Sequence, residues 1–281
     1  FFKCACCRFG LYHFFIVIFN VIFNVANGNH TYLIVTALIE SEYEKDLQEI
    51  VFCLSRRSLH TYQDMIAKGF FENYLNDGDE VLVPSPSYSL WGNTVYQAGG
   101  KPVFYVCDEQ SNWYPDIVDI RSKITDRTKA IVVINPNNPT GMLYPTEILE
   151  EIIKVAREFG LLIFADEIYD RLVMDGLKHT SLASLADDLP IITMNGLSKS
   201  HCLCGYRCGW MVISGPRKLT EDYRQGIVQL TSMRLCANTL AQIIIPAALE
   251  DMETPRSMIV PGGRIYEQRE ATARELSKID G

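Results

Sequence analysis

The stretch NGLSKSHCLCGYR, residues 195–207, contains a lysine whose surroundings suit chemistry. Lys199 lies between two serines, and Arg207 follows eight residues later. Between residues 191 and 210 these two are the only Lys, Arg, Asp or Glu side chains, so no carboxylate accompanies the lysine. An amine in apolar surroundings is more readily neutral and can then act as a nucleophile. A short loop with two ordinary cations would also explain the stretch, so it decides nothing alone.

Other polar residues could work with this lysine. Asp166 follows the apolar run LLIFA, and Asn138 lies in the loop NPNNPTG after another apolar run. Tyr169 follows Asp166 by three residues, so one helical turn would direct both side chains to the same face. Taken singly, the aspartate fits a helix cap and the loop fits a double turn. Their coincidence favours a shared site.

An amine, a carboxylate and a guanidinium together suit a phosphorylated aromatic aldehyde such as pyridoxal phosphate. Lys199 can form an imine with the aldehyde, and Asp166 can face the ring nitrogen and keep it protonated. Arg207 can form a paired fork with the phosphate. The phenolic oxygen of the cofactor needs hydrogen-bond donors, for which Asn138 and Tyr169 are the candidates. The ring needs an aromatic lid, for which Tyr88 and Trp91 are the candidates.

From about Leu59 the chain alternates short apolar runs with amphipathic stretches. Apolar runs of strand length cover residues 80–83, 101–106, 130–135, 161–165, 191–194 and 208–213. One helix is predicted to end at Asp77-Gly78. Another is predicted over residues 145–159, with Pro145 in its first turn and Gly160 at its C-terminal cap.

Apolar strands that alternate with helices predict an α/β fold, with a mainly parallel (mixed) sheet sandwiched by helices. In such sheets the ligand crevice lies at the C-terminal ends of the strands. Tyr88, Asn138, Asp166 and Lys199 each follow a different predicted strand. We therefore expect four strands to deliver polar groups to one rim.

The composition narrows the function classes. The chain has 281 residues, is 48% hydrophobic and carries a formal net charge of -8, which allows one large or two ordinary domains. The acidic balance argues against nucleic acid as a partner. Of the nine cysteines only Cys4 and Cys7 have Cys-x-x-Cys spacing, and neither a second such pair nor an ordered His/Cys spacing supports a metal site. We therefore predict no metal site and a reducing compartment, the cytoplasm.

Residues 1–55 form an atypical apolar segment that we predict to lie outside the main fold. Residues 14–26 are strongly apolar, which fits a signal anchor or a short membrane helix. Asn20 and Asn24 interrupt the run and favour a segment unrelated to the rest. A membrane partner is thus expected only through residues 1–30, as an alternative to a cytoplasmic protein.

The motifs INPNNPTG, FADEIYD, NGLSK and GYRCGW resemble those of the class I/II, fold-type I, pyridoxal-phosphate aminotransferases. The resemblance extends over residues 76–268. The segments GDEVLVPSPSYSLW, CDEQSNWYPD, SMRLCAN and PGGRIYEQR are similar to the bacterial-type alanine (glutamate–pyruvate) aminotransferases. The resemblance implies a large cofactor domain over residues 56–255. It also implies that residues 256–281 contain the start of the helix that leads to a small domain.

The resemblance also implies a role for each matched residue. Lys199 matches the Schiff-base lysine that shuttles the α-proton, and Asp166 matches the aspartate of the ring nitrogen. The other matches are Asn138 and Tyr169 at the phenolic oxygen, Arg207 at the phosphate and Tyr88 stacked on the ring. The catalytic residues would be Lys199, Asp166 and Tyr169. The implied reaction is transamination between L-alanine and 2-oxoglutarate by a homodimer.

Three departures from the family pattern keep alternatives open. LHTYQDM, residues 59–65, replaces a small phosphate-binding loop, and its Asp64 would repel a phosphate. The family's substrate loop is not recognisable in residues 1–55. The chain ends soon after PGGRIYEQR, so we expect the small domain and its substrate-carboxylate arginine to be missing. The alternatives are another reaction of this fold type, such as β-elimination, and a catalytically silent protein that binds pyridoxal phosphate.

Overall fold

The computed structural model describes residues 73–234 and 239–279 together with Phe71 and three N-terminal strands. For those three strands, and for residues 231–234 and 239–242, it describes the backbone alone. The predicted phosphate-loop position at residues 59–65 lies outside the described residues.

The described strands form one sheet of ten. They are β1 (Phe15–Asn20), β2 (Val35–Glu40), β3 (Gln48–Val51), β4 (Glu80–Ser85), β5 (Lys101–Asp108), β6 (Tyr114–Pro115), β7 (Thr128–Ile134), β8 (Leu162–Asp166), β9 (Ile191–Gly196) and β10 (Gly209–Ser214). Their order across the sheet is β1-β2-β3-β10-β9-β8-β7-β4-β5-β6.

The helices of the described residues lie mainly between or after these strands. They are α1 (Leu90–Gln97), α2 (Ile117–Ser122), α3 (Thr146–Phe159), α4 (Leu197–Ser200), α5 (Arg217–Arg234), α6 (Thr239–Glu250), α7 (Glu253–Ile259) and α8 (Arg264–Leu276).

The centre of the sheet is parallel. Strands β5, β4, β7, β8 and β9 pair in parallel with one another, and β6 pairs antiparallel with β5 at the edge. Strand β10 runs antiparallel to β9, and β3, β2 and β1 continue the sheet antiparallel beyond it. The predicted α/β fold with a mixed, mainly parallel sheet is confirmed, and parallel central strands place their C-terminal ends at one rim.

Alternation along the strands explains why both faces of the sheet are covered. In β7, Val132 belongs to a core cluster that also contains residues of α1 and α5. The next residue, Val133, belongs to a second cluster that contains residues of α2 and α3. Successive side chains of a strand point to opposite faces, so a strand buried on both sides is apolar throughout.

Each of the six predicted apolar runs overlaps a described strand, and only residues 135, 161 and 208 of those runs fall one position outside it. Helix α3 is also confirmed, although Pro145 is its N-terminal cap instead of part of its first turn. Gly160 ends the helix with φ +65°, a left-handed conformation that a residue without a Cβ adopts at little cost. Of the helix predicted before Asp77-Gly78, the structure describes the end, where the Tyr74 and Leu75 amides donate to the Phe71 carbonyl.

Part of the apolar N-terminal segment is described. Phe15–Asn20 form strand β1, where a membrane helix would require helical backbone. Strand β3 pairs with β10 and so connects this segment to the central sheet. Within the described residues, no helix combines the length and the apolar character that crossing a bilayer requires.

Candidate active site

Four neighbouring strands of the sheet, β9, β8, β7 and β4, lead into one cavity at their C-terminal ends. The cavity has a volume of about 90 Å³. Its lining consists of two isoleucines and five of the polar or aromatic residues expected from the sequence: Ile134, Ile168, Tyr88, Asn138, Asp166, Tyr169 and Lys199. The structure therefore brings together all of the predicted site residues except Arg207.

Asp166 is the last residue of β8 and is buried at the rim. Its Oδ2 accepts a hydrogen bond from Trp91 Nε1 at 3.1 Å, and its Oδ1 accepts one from the Ile168 amide at 3.3 Å. Burial raises the pKa of Asp166 to about 6, against these two hydrogen bonds and the positive charge of Lys199, which lower it. The carboxyl is therefore mostly ionised at neutral pH, as a partner for a protonated ring nitrogen must be.

Lys199 lies in the short helix α4, directly after β9. A Cβ at Gly196 would come within 2.8 Å of the Cys208 carbonyl, so a glycine is needed where β9 passes β10 into this helix. The Leu197 amide donates to the same carbonyl. Lys199 Nζ lies 5.7 Å from the centre of the Tyr169 ring, which suits a cation–π contact.

Asn138 lies at the cavity because hydrogen bonds hold the rest of its loop in place. The Tyr144 amide donates to Asn135 Oδ1 at 2.8 Å, and Asn137 Nδ2 donates to the Tyr144 hydroxyl at 2.6 Å. The Gly141 amide donates to the Asn137 carbonyl, which closes a turn. The buried Asn135 and Asn137 therefore stabilise the loop, and the half-buried Asn138 lines the cavity.

Tyr169 reaches the cavity through a turn and not through the helical turn expected from its spacing. The Asp170 amide donates to the Glu167 carbonyl, and the Leu172 amide donates to the Tyr169 carbonyl. These are turns that follow β8 directly. Asp166 and Tyr169 both line the cavity, as expected, but turns and not a helix place Tyr169 there.

The two candidates for an aromatic lid separate clearly. Tyr88, which follows β4, lines the cavity. Trp91 is only 1% exposed and packs edge-on against Phe71, with ring centres 6.0 Å apart. A lid formed by Trp91 is therefore wrong, because its indole lies in the core and contacts Asp166 through its N–H.

Arg207 does not line the cavity. Its backbone is left-handed, with φ +53°, and its Nη1 donates to the carbonyl of Cys204. Its predicted role at a phosphate thus remains a prediction, since the loop expected to share that role, residues 59–65, is outside the described part.

The sequence did not predict a second group of polar residues on the other side of β8. We call Glu167, Asp170 and His179 the acid cluster. His179 Nε2 lies 3.9 Å from Glu167 Oε2. Burial raises the pKa of Glu167 to about 7, helped by the charges of Asp170 and Asp166. Burial also lowers the pKa of His179 and raises that of Asp170.

No cysteine is among the residues that line the cavity. Cys107, Cys202, Cys204 and Cys208 are free thiols. Among the residues that the structure describes, no group of three or more His, Cys, Asp and Glu side chains is arranged to hold a metal ion.

A parallel-centred sheet whose rim joins a lysine to a buried carboxylate defines a cofactor-binding α/β domain of the transferase type. The chain belongs to the class I and II aminotransferases, whose family model matches residues 31–279. Pyridoxal phosphate is the cofactor of this family. An amine, a carboxylate, an amide and two phenols around one cavity fit the aldehyde, the ring nitrogen and the phenolic oxygen of that cofactor.

Named relatives and solved structures support this membership. The chain is 52% identical over 207 residues to the glutamate-pyruvate aminotransferase AlaA of Escherichia coli strain K12, covering 74% of this chain and 51% of the relative. It is 50% identical to the alanine aminotransferase of Mycobacterium bovis, covering 74% and 48%. The chain spans about half the length of these curated relatives.

The fold agrees with two solved structures in particular. An aminotransferase from Escherichia coli superposes with a TM-score of 0.74 and 48% identity, covering 79% of this chain and 53% of that one. The alanine aminotransferase from Pyrococcus furiosus superposes with a TM-score of 0.75 and 40% identity, covering 83% and 56%.

Proposed function

We propose that this chain binds pyridoxal phosphate at the cavity and transfers an amino group between an amino acid and a 2-oxo acid. The observation that carries the proposal is the convergence of Lys199 and the buried Asp166 on one cavity. The names of the relatives favour L-alanine and 2-oxoglutarate as the substrates, with pyruvate and L-glutamate as the products. Free thiols in the described part are consistent with a reducing compartment.

Each cavity residue has a definite task in this proposal. The cofactor supplies an aldehyde that condenses with amines and a ring that accepts electrons. Lys199 Nζ would hold the cofactor through its aldehyde and, as the free amine, would carry the substrate's α-proton as general base and then as general acid. Asp166 keeps the ring nitrogen protonated through its charge. Asn138 and Tyr169 donate to the phenolic oxygen, and Tyr88 covers the ring.

The binding step is tested with the whole chain and a Lys199→Ala variant. Pyridoxal phosphate is added, the mixture is reduced with borohydride, and the peptide that contains residue 199 is examined by mass spectrometry. We expect stable attachment in the wild type and none in the variant. Lys178, an exposed lysine away from the cavity, provides the matched control as Lys178→Ala. Attachment that survives Lys199→Ala would reject the proposal.

The reaction is tested separately from binding. Incubation with L-alanine should yield pyruvate in proportion to added 2-oxoglutarate, with L-glutamate as the second product. Release of ammonia and a 2-oxo acid from a substrate with a β leaving group, with no 2-oxo acid added as acceptor, would indicate β-elimination. Attachment at Lys199 without either product would indicate the silent cofactor-binding protein.

Arg207 provides the test of the phosphate end. In the proposal its guanidinium turns from the Cys204 carbonyl to the phosphate and forms a paired fork that an ammonium cannot form. Arg207→Lys should therefore raise the dissociation constant for pyridoxal phosphate about tenfold, measured by equilibrium dialysis. Pyridoxal without the phosphate should bind both proteins equally. Equal retention of pyridoxal phosphate by both proteins would remove Arg207 from the site.

We also propose a homodimer, which the family resemblance implies. Sedimentation equilibrium of the whole chain measures the mass, and a monomer at all concentrations would contradict this part of the proposal alone.

A further inference from the structure

Trp91 makes the shorter of the two hydrogen bonds that Asp166 accepts. Its Nε1 lies 3.1 Å from Asp166 Oδ2, compared with 3.3 Å between the Ile168 amide and Oδ1. An indole N–H can donate but cannot accept. The contact therefore requires an acceptor oxygen at Asp166, and it is stronger when that oxygen is ionised.

The packing of Trp91 leaves its indole little freedom. The ring is 1% exposed and lies in the core against the rings of Phe71 and Phe164, at centre distances of 6.0 and 6.2 Å. Close-packed aromatic side chains of this kind change rotamer only at the cost of their contacts. A donor that is itself fixed can fix the carboxyl group that it contacts.

The other groups that face Asp166 differ from Trp91 in one respect. Lys199 lowers the pKa of Asp166 through its positive charge, but the proposed reaction needs that amine in neutral or bound form. The charge of Asp166 raises the pKa of Glu167, the next residue, so Glu167 supplies no positive charge to Asp166. The bonds from Trp91 and the Ile168 amide remain whatever the state of Lys199.

We propose that Trp91 is a positioning residue of the site, whose indole N–H orients Asp166 and keeps its carboxylate ionised at neutral pH while Lys199 reacts. The link to the cofactor rests on the function proposed above, because Asp166 acts there on the ring nitrogen. The effect on Asp166 itself is a property of the protein without cofactor.

The first experiment uses the whole chain without cofactor. Its aspartates carry ¹³C in the side-chain carboxyl, and the Asp166 signal is assigned by its loss in Asp166→Asn. In the wild type the NMR titration should have its midpoint near pH 6, where burial places the pKa of Asp166. Trp91→Phe removes the donor and should move the midpoint up by about 1 pH unit, since a hydrogen bond to the charged form favours it.

Two further proteins separate the hydrogen bond from the packing. Replacing Trp91 with 3-benzothienylalanine keeps the ring shape and removes only the N–H, so it should shift the midpoint as Trp91→Phe does. Trp113→Phe changes a tryptophan away from the cavity and should leave the midpoint in place. A wild-type midpoint in both Trp91 replacements would overturn the proposal.

The second experiment adds pyridoxal phosphate and traps it with borohydride between pH 6 and 8. The Trp91 replacements should retain the cofactor less well as the pH falls, because a protonated Asp166 cannot keep the ring nitrogen charged. Equal pH profiles in wild type and replacements would overturn the link to the cofactor. Failure of the wild type to attach the cofactor at Lys199 would reject the proposed function, while the titration would still decide the role of Trp91.

Discussion

Strand β8 ends at Asp166, and Glu167 follows it directly; these two acids face different regions of the molecule. Asp166 lines the cavity beside Lys199 and Tyr169, whereas Glu167 points into the acid cluster with Asp170 and His179. Burial raises the pKa of both, to about 6 and about 7. Asp166 accepts from an indole, and Glu167 Oε1 accepts from the Leu182 amide at 3.0 Å.

The comparison shows how one strand end can serve chemistry and architecture at once. Alternate side chains of a strand leave on opposite faces, so neighbouring residues can meet unrelated surroundings. The cavity side has a positive charge and room for a ligand. The acid cluster instead contains groups that act on one another: His179 Nε2 lies 3.9 Å from Glu167 Oε2, and the charge of Asp170 opposes the lowering of the His179 pKa by burial.

The largest expected effect distinguishes the two acids by function. Asp166→Asn should slow the conversion of bound cofactor by L-alanine at least about 100-fold, because removing a positioned charge at the reacting ring removes transition-state stabilisation. The cofactor should still be trapped on residue 199 by borohydride. Stopped-flow absorbance measures the rate. Glu167→Gln is the matched control, and its rate should stay within about twofold of the wild-type rate. An equal loss of rate in both variants would show that the two acids do not differ in function.

The next effect distinguishes the two acids by stability. Glu167→Gln keeps the shape and an acceptor for the Leu182 amide but removes the buried charge. The pKa of Glu167 rises from 4.5 to about 7 on folding, so the wild type loses stability as the pH rises through this window. The variant lacks this loss. Its free energy of unfolding in urea should therefore exceed that of the wild type by about 2 kcal/mol at pH 8 and should match it near pH 4.

Asp187→Asn is the control for that measurement, because Asp187 is exposed and its removal changes the net charge equally. Its stability should follow the wild type at both pH values. A stability difference for Glu167→Gln that does not change with pH would mean that folding does not raise the pKa of Glu167.

The smallest effect concerns the histidine of the acid cluster. His179→Phe keeps the volume but removes the imidazole that lies 3.9 Å from Glu167 Oε2. It should lower the free energy of unfolding by about 1 kcal/mol at pH 8, because a buried carboxylate loses a polar neighbour. Attachment of pyridoxal phosphate to Lys199 should persist, measured by borohydride trapping. Loss of attachment at unchanged stability would mean that His179 contributes to cofactor binding and not to stability.

Much of the fold followed from the sequence because its signals are local. The apolar runs of β4, β5, β7, β8, β9 and β10 and the amphipathic pattern of α3 need only neighbouring residues to be recognised. The alternation of such runs with helices also predicted the parallel centre of the sheet. The two-residue strand β6 carries too short a pattern, and pairing of β1, β2 and β3 with β10 depends on contacts far apart in the chain.

The sequence by itself determined which side chains could do chemistry and that Tyr88, Asn138, Asp166 and Lys199 would follow separate strands toward one rim. Tertiary structure alone decided that Trp91 lies in the core as a donor to Asp166, that Arg207 turns to a nearby carbonyl, and that Glu167 faces an acid cluster. The physical reason is that residue type and spacing predict the direction in which a strand delivers its side chains. Packing between distant segments then selects the partners, and those partners determine the charge that each group carries.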